Sequence, residues 1–239
     1  MRYLKKLVIY LVIGLTLSSC ASSRQHPLTG KVDKFLLIKR DVLFNACNGD
    51  LCVPGTGTAF GSGFIIGTNG TDSIGVTAGH VCEDFHVPPG VKVMSADVKV
   101  KSIDGRAHNA EVLKVDFEND LCLLKIRGFV SRGLSVSRSA PAVGDPSYAM
   151  ASPLAMFSPN MVPLFSGYFS GKVSTRKDGY AMPAQGGSSG APIVNSDGQV
   201  IGVIVAKLRG LESFCVSPPH ASVRDFILGA QRDLRRGKL

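Results

Sequence analysis

Between Lys31 and Ser217 the apolar runs are short, and glycine, asparagine or aspartate usually separates one from the next. "VDKFLLIKRDVLF", "GTAFGSGFII", "DSIGVTAGHV", "VKVMSADVKVKSI", "AEVLKVDF" and "DLCLLKI" come first, then a link near Arg127 to Pro141. "PSYAMAS", "MVPLFSGYFSGKVS", "APIVNSDGQVIGVIVAK" and "SFCVS" follow. Runs of this length cannot each be a helix, and their spacing predicts an all-β sandwich or barrel in two parts. "NSDGQ" reads as a hairpin turn between two apolar strands. Only the end of the chain departs from this pattern. In "PPHASVRDFILGAQRDLRR", Val223, Phe226, Ile227 and Ala230 recur at helical spacing behind two prolines, which predicts a terminal helix. The 239 residues suffice for one large domain or two small packed ones, and 44% hydrophobic against 19% charged residues excludes a disordered chain.

The first twenty residues stand apart. Arg2, Lys5 and Lys6 precede the apolar run "LVIYLVIGLTL", and "LSSC" closes it at Cys20. A basic start, a short apolar core and small residues before a break are the parts of a secretory signal. The run is short for a membrane span, although a retained anchor helix is the competing reading. "LSSC" resembles a bacterial lipobox. That resemblance implies a signal peptide over residues 1–19, a lipid on Cys20, and a tether over 20–34. Ala21, which is not aspartate, leans toward the outer membrane of a bacterial cell envelope. The net charge of +9 includes those three leader residues, and the other basic residues are dispersed apart from the final "RDLRRGKL". That tail reads as a solvated, frayed terminus rather than a lipid or nucleic-acid contact. No nucleic-acid motif accompanies it, so no nucleic-acid partner is expected.

Export changes the reading of the cysteines, which tend to pair in an oxidising compartment. With Cys20 set aside, five remain, so at least one is left over. Cys47 and Cys52 flank an "NGD" turn and are placed to clip a hairpin. Cys82 and Cys122 stand beside His80 and Asp120, and a bond there would join two parts of one site. Cys215 would then be free and buried. A zinc site competes weakly, since no second pair has ligand spacing; no metal or organic cofactor is expected.

His26, His80, His86, His108 and His220 are the candidates for a general base. Only His80 follows a strand-like run and sits among small residues, in "VTAGHV". Asp120, in "FENDLCLLKI", stands where an apolar strand begins, a costly place for a carboxylate without a partner. "AQGGSSGAP" sets two serines in a glycine-rich turn directly before the strand-like "PIVNSDGQVIGVIVA", which argues against a flexible linker. "GTGTAFGSG" lacks the GK[ST] ending and the following helix of a phosphate loop.

Together, "VTAGHV", "NDLCLLKI" and "GGSSGAPIVNSDGQVIGVIVAK" resemble the three signatures of trypsin-like serine peptidases, in the chymotrypsin order His, Asp, Ser. "DGRAHNAEVLKVDFENDLCLLKI" and "VGDPSYAMASPLAM" are similar to segments of the bacterial HtrA (Deg) type, and the likeness runs from about residue 55 to 230. It implies a double six-stranded β-barrel with a C-terminal α-helix, one barrel over 35–135, the second barrel and helix over 136–239. It implies Ser189 as nucleophile, His80 as base, Asp120 as the group that orients it, and the amides of Gly187 and Ser189 as oxyanion hole. Polypeptides are the implied substrates, and the expectation is a protease domain without the PDZ domains usual in that group.

Two positions depart from the family pattern. Ala191 replaces a glycine, a tolerable methyl group. Ser188 replaces the aspartate that pairs with a newly cut N-terminus in digestive members, so no activating cut is expected. Pro183 falls where trypsin-like members keep the acid selecting lysine or arginine, which points to a small or medium apolar residue before the scissile bond. The walls of that pocket are expected from Val205 to Leu208 and Ser213 to Val216. His220 reads as a helix-cap residue, with contact to an acidic substrate side chain as the alternative. A silent protein-binding relative and an esterase on the same triad are the competing functions.

Overall fold

The structure is a computed structural model that describes residues 25–83, 87–208 and 210–239. Cys20, the leader, the first part of the tether and His86 lie outside the described residues. The first half is built from β1 (Phe35–Asn48), β2 (Leu51–Thr68), β3 (Ser73–Ala78), β4 (Val91–Ser102), β5 (Ala107–Asp116) and β6 (Leu121–Ile126). They close into a barrel in the order β1-β2-β3-β6-β5-β4. The strands β3 and β6 read as nearly unbroken apolar runs because both of their faces are covered; all six residues of β3 are buried. Leu36, Ile38, Phe64, Ile74, Leu124 and Ile126 fill the barrel with no exposed surface.

The hairpin β1–β2 is longer than the apolar pattern suggested. It runs without a register shift from Phe35↔Phe64 to Asn48↔Leu51. The turn holds only Gly49 and Asp50, with Gly49 at φ +59°, and the Cys47–Cys52 disulfide closes its tip. The outer half of this hairpin projects beyond the barrel, which is why its polar and glycine-rich sequence carries no strand period.

The second half contains β7 (Pro146–Met150), β8 (Leu164–Ser174), β9 (Lys177–Ala181), β10 (Pro192–Val194), β11 (Val200–Val203), β12 (Ala206–Leu208) and β13 (Leu211–Ser217). They form a seven-stranded sheet in the order β11-β10-β7-β8-β9-β13-β12. Six strands were expected here. The seventh arises because the chain leaves β11 at Ile204 and re-enters the sheet as the short exposed β12. The expected "NSDGQ" turn joins β10 to β11, with Asn195 Oδ1 accepting from the Asp197 and Gln199 amides.

Besides the four-residue helix α1 (Gly79–Cys82), the terminal helix α2 spans His220–Arg235. Val223, Ile227 and Ala230 are its buried stripe, and Phe226 packs at the border of the core. The helix takes in Arg232 and Arg235, while Arg236 and Lys238 lie beyond it and are exposed, and Asn69 Nδ2 donates to the Leu239 carbonyl. Gln231 Nε2 donates to the Ile66 carbonyl, so a helix that follows the second sheet is fastened to a strand of the first barrel. No helix among the described residues is long and apolar enough to cross a membrane.

His220 opens α2 and is a structural residue. Its amide donates to Asp178 Oδ2 at 2.9 Å, so a carboxylate from β9 caps the helix N-terminus. Its Nε2 donates to the Ser137 carbonyl at 3.1 Å. Burial pushes its pKa below the ordinary value of 6.5. The unfolded chain therefore takes up this proton first as pH falls, and stability is lost from about pH 6.5 downward. Urea midpoints should fall between about pH 7.5 and pH 5, and His220→Gln should reduce the fall. An unchanged fall in the variant would exclude His220 as its source.

Candidate active site

His80 and Asp120 are brought together by the β3–β6 pairing. Ala78 lies opposite Leu121, so the two residues just beyond that pair meet at the same end of the barrel. Asp120 adopts φ +56°, a conformation that aspartate tolerates better than most side chains. Its carbonyl accepts from the Gly79 amide at 2.9 Å, and Oδ1 accepts from the His80 amide at 2.8 Å. Nδ1 of His80 lies 2.9 Å from Oδ2 and 3.1 Å from Oδ1. A carboxylate can only accept, so the proton sits on Nδ1 and leaves Nε2 with its lone pair. The Asp120 side chain is 18% exposed and that of His80 38%, so the carboxylate is sheltered and the imidazole more open.

Two further devices hold the pair. Cys82 and Cys122 are bonded, each two residues beyond His80 or Asp120. The bond closes a 40-residue separation, and a loop of that size corresponds to about 4 kcal/mol of lost unfolded-state freedom. From the second sheet, Arg176 donates to the Glu118 carbonyl at 3.3 Å and pairs with its carboxylate at 3.1 Å. Beside it Lys177 is half-buried; burial lowers its pKa, and the field of Asp120 opposes that shift. Cys215 is free and buried, its thiol pushed up to about 12 by desolvation.

The two serines of the glycine-rich turn differ in place. Ser188 is 1% exposed, and its Oγ accepts from the Gln185 amide at 3.3 Å. Ser189 is half-buried. The loop around them is fixed by carbonyls. Gly186 turns its carbonyl onto the Leu154 amide at 2.6 Å, and Ser188 turns its carbonyl onto the Ala191 amide at 3.0 Å. No peptide bond among the described residues is cis, and in a trans peptide the N–H points opposite to the C=O. The amides of Gly187 and Ser189 are thereby directed away from those contacts, and neither has a partner among the described residues. Gly187 sits at φ +92°, where a Cβ would lie 2.4 Å from the Ser152 carbonyl oxygen. Only glycine fits there.

Ser62 joins this loop to the first barrel, and the sequence gives no sign of its role. Its amide donates to the Ser189 carbonyl at 2.7 Å. Its Oγ donates to the Gly187 carbonyl at 2.8 Å and accepts from the Ser152 amide at 2.9 Å. Its carbonyl accepts from Thr77 Oγ1 at 2.7 Å. Next to it, Gly61 lies between Val81 and Ser189: a Cβ there would stand 2.7 Å from Val81 and 3.2 Å from the Ser189 carbonyl. The serine turn and the histidine turn therefore face each other across one glycine.

The other candidates are elsewhere. His108 lies against Phe129 and within 3.1 Å of Ser102 Oγ; His26 packs edge-on to Tyr148. Pro183 is exposed, and Ala184 donates to the Glu212 carbonyl at 3.2 Å. Ala206 pairs with Val216 where the pocket walls were expected. Lys207 bonds Gln185 at 3.1 Å and Glu212 at 2.9 Å along that rim, and Gln185 also bonds Glu212. Among the described residues no cluster of His, Cys, Asp and Glu is placed to hold a metal ion.

The family described as "Trypsin-like peptidase domain" matches residues 61–203, from the glycine beside Ser189 to the end of β11. The chain belongs to this family. It is 29% identical over 181 residues to the serine protease HTRA1 of Xenopus tropicalis, covering 71% of this chain and 35% of that one. It is 28% identical over 158 residues to a probable periplasmic serine endoprotease, DegP-like, of Chlamydia muridarum, covering 63% and 29%. The HtrA-type likeness read from the motifs thus holds across most of the domain. The first two curated relatives are matched over 24% and 41% of their length, so the chain spans less than half of either. The serine endoprotease of Yersinia pestis shares the fold, with a TM-score of 0.65 at 18% identity over 90% of this chain and 69% of that one.

Ser62→Ala should leave the Gly187 carbonyl and the Ser152 amide without partners, at a cost of about 1–3 kcal/mol in urea unfolding. It should also slow labelling of Ser189 by a fluorophosphonate, in which the phosphonyl group goes to a serine oxygen and fluoride leaves. Unchanged stability and labelling would mean that the loop holds itself.

Proposed function

We propose that the chain is a membrane-tethered serine endopeptidase that cleaves polypeptides through a Ser-His-Asp acyl-enzyme. The observation that carries this reading is the pair of amides, Gly187 and Ser189, that have no partner among the described residues, together with a histidine whose Nδ1 is occupied by a carboxylate. In this reading residues 35–135 and 136–239 are the two halves that flank the site.

The steps follow from that arrangement. Ser189 Oγ attacks the scissile carbonyl carbon while Nε2 of His80 takes its proton. Asp120 keeps the imidazole in the tautomer that can accept and stabilises the imidazolium that forms. The carbonyl oxygen gains charge and moves toward the amides of Gly187 and Ser189. They are already oriented, so no reorganisation is needed at that moment; one such donor is worth about 3–4 kcal/mol. The imidazolium then protonates the leaving amine, and water repeats the sequence to release the acyl chain. Ser188 takes no part, since its hydroxyl is buried against Gln185. Pro183, at the place of a selecting acid, favours a small or medium apolar residue before the scissile bond.

The tether rests on the sequence: the basic leader, its apolar run and Cys20 as the lipidated residue, with the outer membrane as destination. Two disulfides among the described cysteines fit an exported protein. The Chlamydia relative is described as periplasmic, which agrees with an envelope location.

Labelling with a fluorophosphonate and mapping by mass spectrometry tests the reading. The label is expected on Ser189, absent in Ser189→Ala and retained in Ser188→Ala, and Gly187→Ala should slow it by at least about a hundredfold. No label on either serine would leave a protein-binding relative of the family.

A further inference from the structure

The positive charge of the chain is concentrated in two segments that fold side by side. Residues 127–139 hold Arg127, Arg132 and Arg138 and no acid. Residues 220–239 hold Arg224, Arg232, Arg235, Arg236 and Lys238 against Asp225 and Asp233. Three charges from the first segment and five less two from the second give +6. With the three basic leader residues that accounts for the whole net charge of +9, so the remainder of the chain is neutral. Of these eight basic residues, Arg127 pairs with Glu111 and Arg224 with Asp225. The other six are exposed and meet no carboxylate among the described residues.

The two segments run in opposite directions along one another. The Leu134 amide donates to the Ile65 carbonyl at 2.8 Å, and the Ser137 amide to the Val200 carbonyl at 2.9 Å. Helix α2 starts where this linker ends, with His220 on the Ser137 carbonyl, and returns to Ile66 through Gln231. Arg224, Leu228 and Gln231 share one face of the helix, which Arg235 continues. A groove of about 640 Å³ separates that face from Arg138 and Gln199.

The tether arrives at the same place. Leu28 is fully buried, and Lys31 Nζ donates to the Asp197 carbonyl at 2.8 Å, so the chain is fastened to the β10–β11 turn before it enters β1. Gln25 and His26 border a hollow with Ser196 and Asp197, and Gln199 of that turn borders the basic groove. Cys20 precedes Gln25 by five residues, a reach of at most about 18 Å. A membrane held through Cys20 therefore lies close to this turn. Ser189 stands at the other end of β10, away from it.

We propose that the basic face formed by residues 127–139 and α2 seats the chain on the anionic phospholipid headgroups of the membrane that carries its lipid, with the active-site face turned away. The inference rests on the tether reading and not on catalysis. Read alone, "RDLRRGKL" is a solvated end; beside the linker arginines it is half of a larger surface. Each Lys or Arg held near an anionic leaflet strengthens binding about fivefold. The attraction fades within about 8 Å at physiological salt, so it needs a tether as short as this one. A lipid alone would leave the domain free to turn. The basic face fixes its orientation, and the cleft is presented to polypeptides in the aqueous phase.

Arginine footprinting of the full chain in vesicles tests this. The chain is reconstituted in phosphatidylcholine, or in a mixture in which about one lipid in three is phosphatidylglycerol. It is then labelled with phenylglyoxal and mapped by mass spectrometry. On the anionic vesicles Arg132, Arg138, Arg232 and Arg235 should label at least about fivefold more slowly than on phosphatidylcholine. Arg176, which contacts Glu118 on the acid's loop, should label at the same rate on both. About 1 M salt should remove the difference. Arg138→Gln together with Arg235→Gln should bring Arg132 and Arg232 to within about twofold of their phosphatidylcholine rates. Fluorophosphonate labelling of Ser189 should be unchanged in that variant. Equal labelling of the four arginines on both vesicles overturns the proposal. Slower labelling of Arg176 also overturns it, since the active-site face would then lie on the membrane. So does protection of the four by soluble polyglutamate with none by anionic vesicles, which would give the groove to an acidic polypeptide. The mass of the peptide that contains Cys20 reports the lipid in the same experiment. A chain without lipid that still gains the protection would uphold the face and remove the tether reading; one without lipid or protection removes both.

Discussion

One buried serine in the first barrel holds the loop that carries Ser189, the proposed nucleophile. Ser62 uses its amide, its hydroxyl and its carbonyl, and three of its four contacts lie on the two loops that face the barrel. A buried polar group with every partner in place rigidifies what it touches, and one left short is costly. Ser62 therefore works in both directions. It fixes the 184–190 loop against β2, and it makes any displacement of that loop expensive. Gly190 shows how close the approach is: a Cβ there would stand 2.0 Å from the Ser62 carbonyl oxygen.

From this contact the remaining geometry follows with little freedom. Carbonyls of Gly186 and Ser188 are taken by Leu154 and Ala191, and peptide planarity turns the next two amides the opposite way. His80, the proposed base, is held as firmly. Asp120 meets the His80 ring and its amide, a disulfide joins the turns that carry them, and Arg176 brings the second sheet onto the acid's loop. The helix α2 closes the arrangement from behind through Gln231 and Ile66. A site assembled from two halves needs such cross-links, because an error of about 1 Å between them costs about a hundredfold in rate.

What the sequence disclosed was what depends on near neighbours. Strands, the "NSDGQ" turn and the terminal helix are local patterns. The glycines around Ser189 mark positions where a side chain does not fit. The choice of His80 among five histidines rested on small neighbours and on its order with Asp120 and Ser189, and the structure sets its ring against the Asp120 carboxylate. Contacts between distant residues were not legible. Ser62 stands 125 residues from Gly187 and 90 from Ser152, inside a glycine-rich run with no period to mark it. The outer half of β2, the edge strand β12 and the rim formed by Lys207, Gln185 and Glu212 escaped for the same reason: polar or small side chains on a free edge leave no alternation to read. His220 was legible only as one of two alternatives until Asp178 and Ser137 were seen beside it.

In the proposed mechanism Gly187 and Ser189 hold their amides ready for a developing oxyanion beside Ser189. A crystal structure of the chain after reaction with a fluorophosphonate shows whether they do. The expected structure has phosphorus on Ser189 Oγ, with one phosphonyl oxygen about 3 Å from both amide nitrogens and the 184–190 loop unmoved. A phosphonyl oxygen turned to solvent, or a loop that had to rotate its Gly186 carbonyl off Leu154 to receive the adduct, would contradict it.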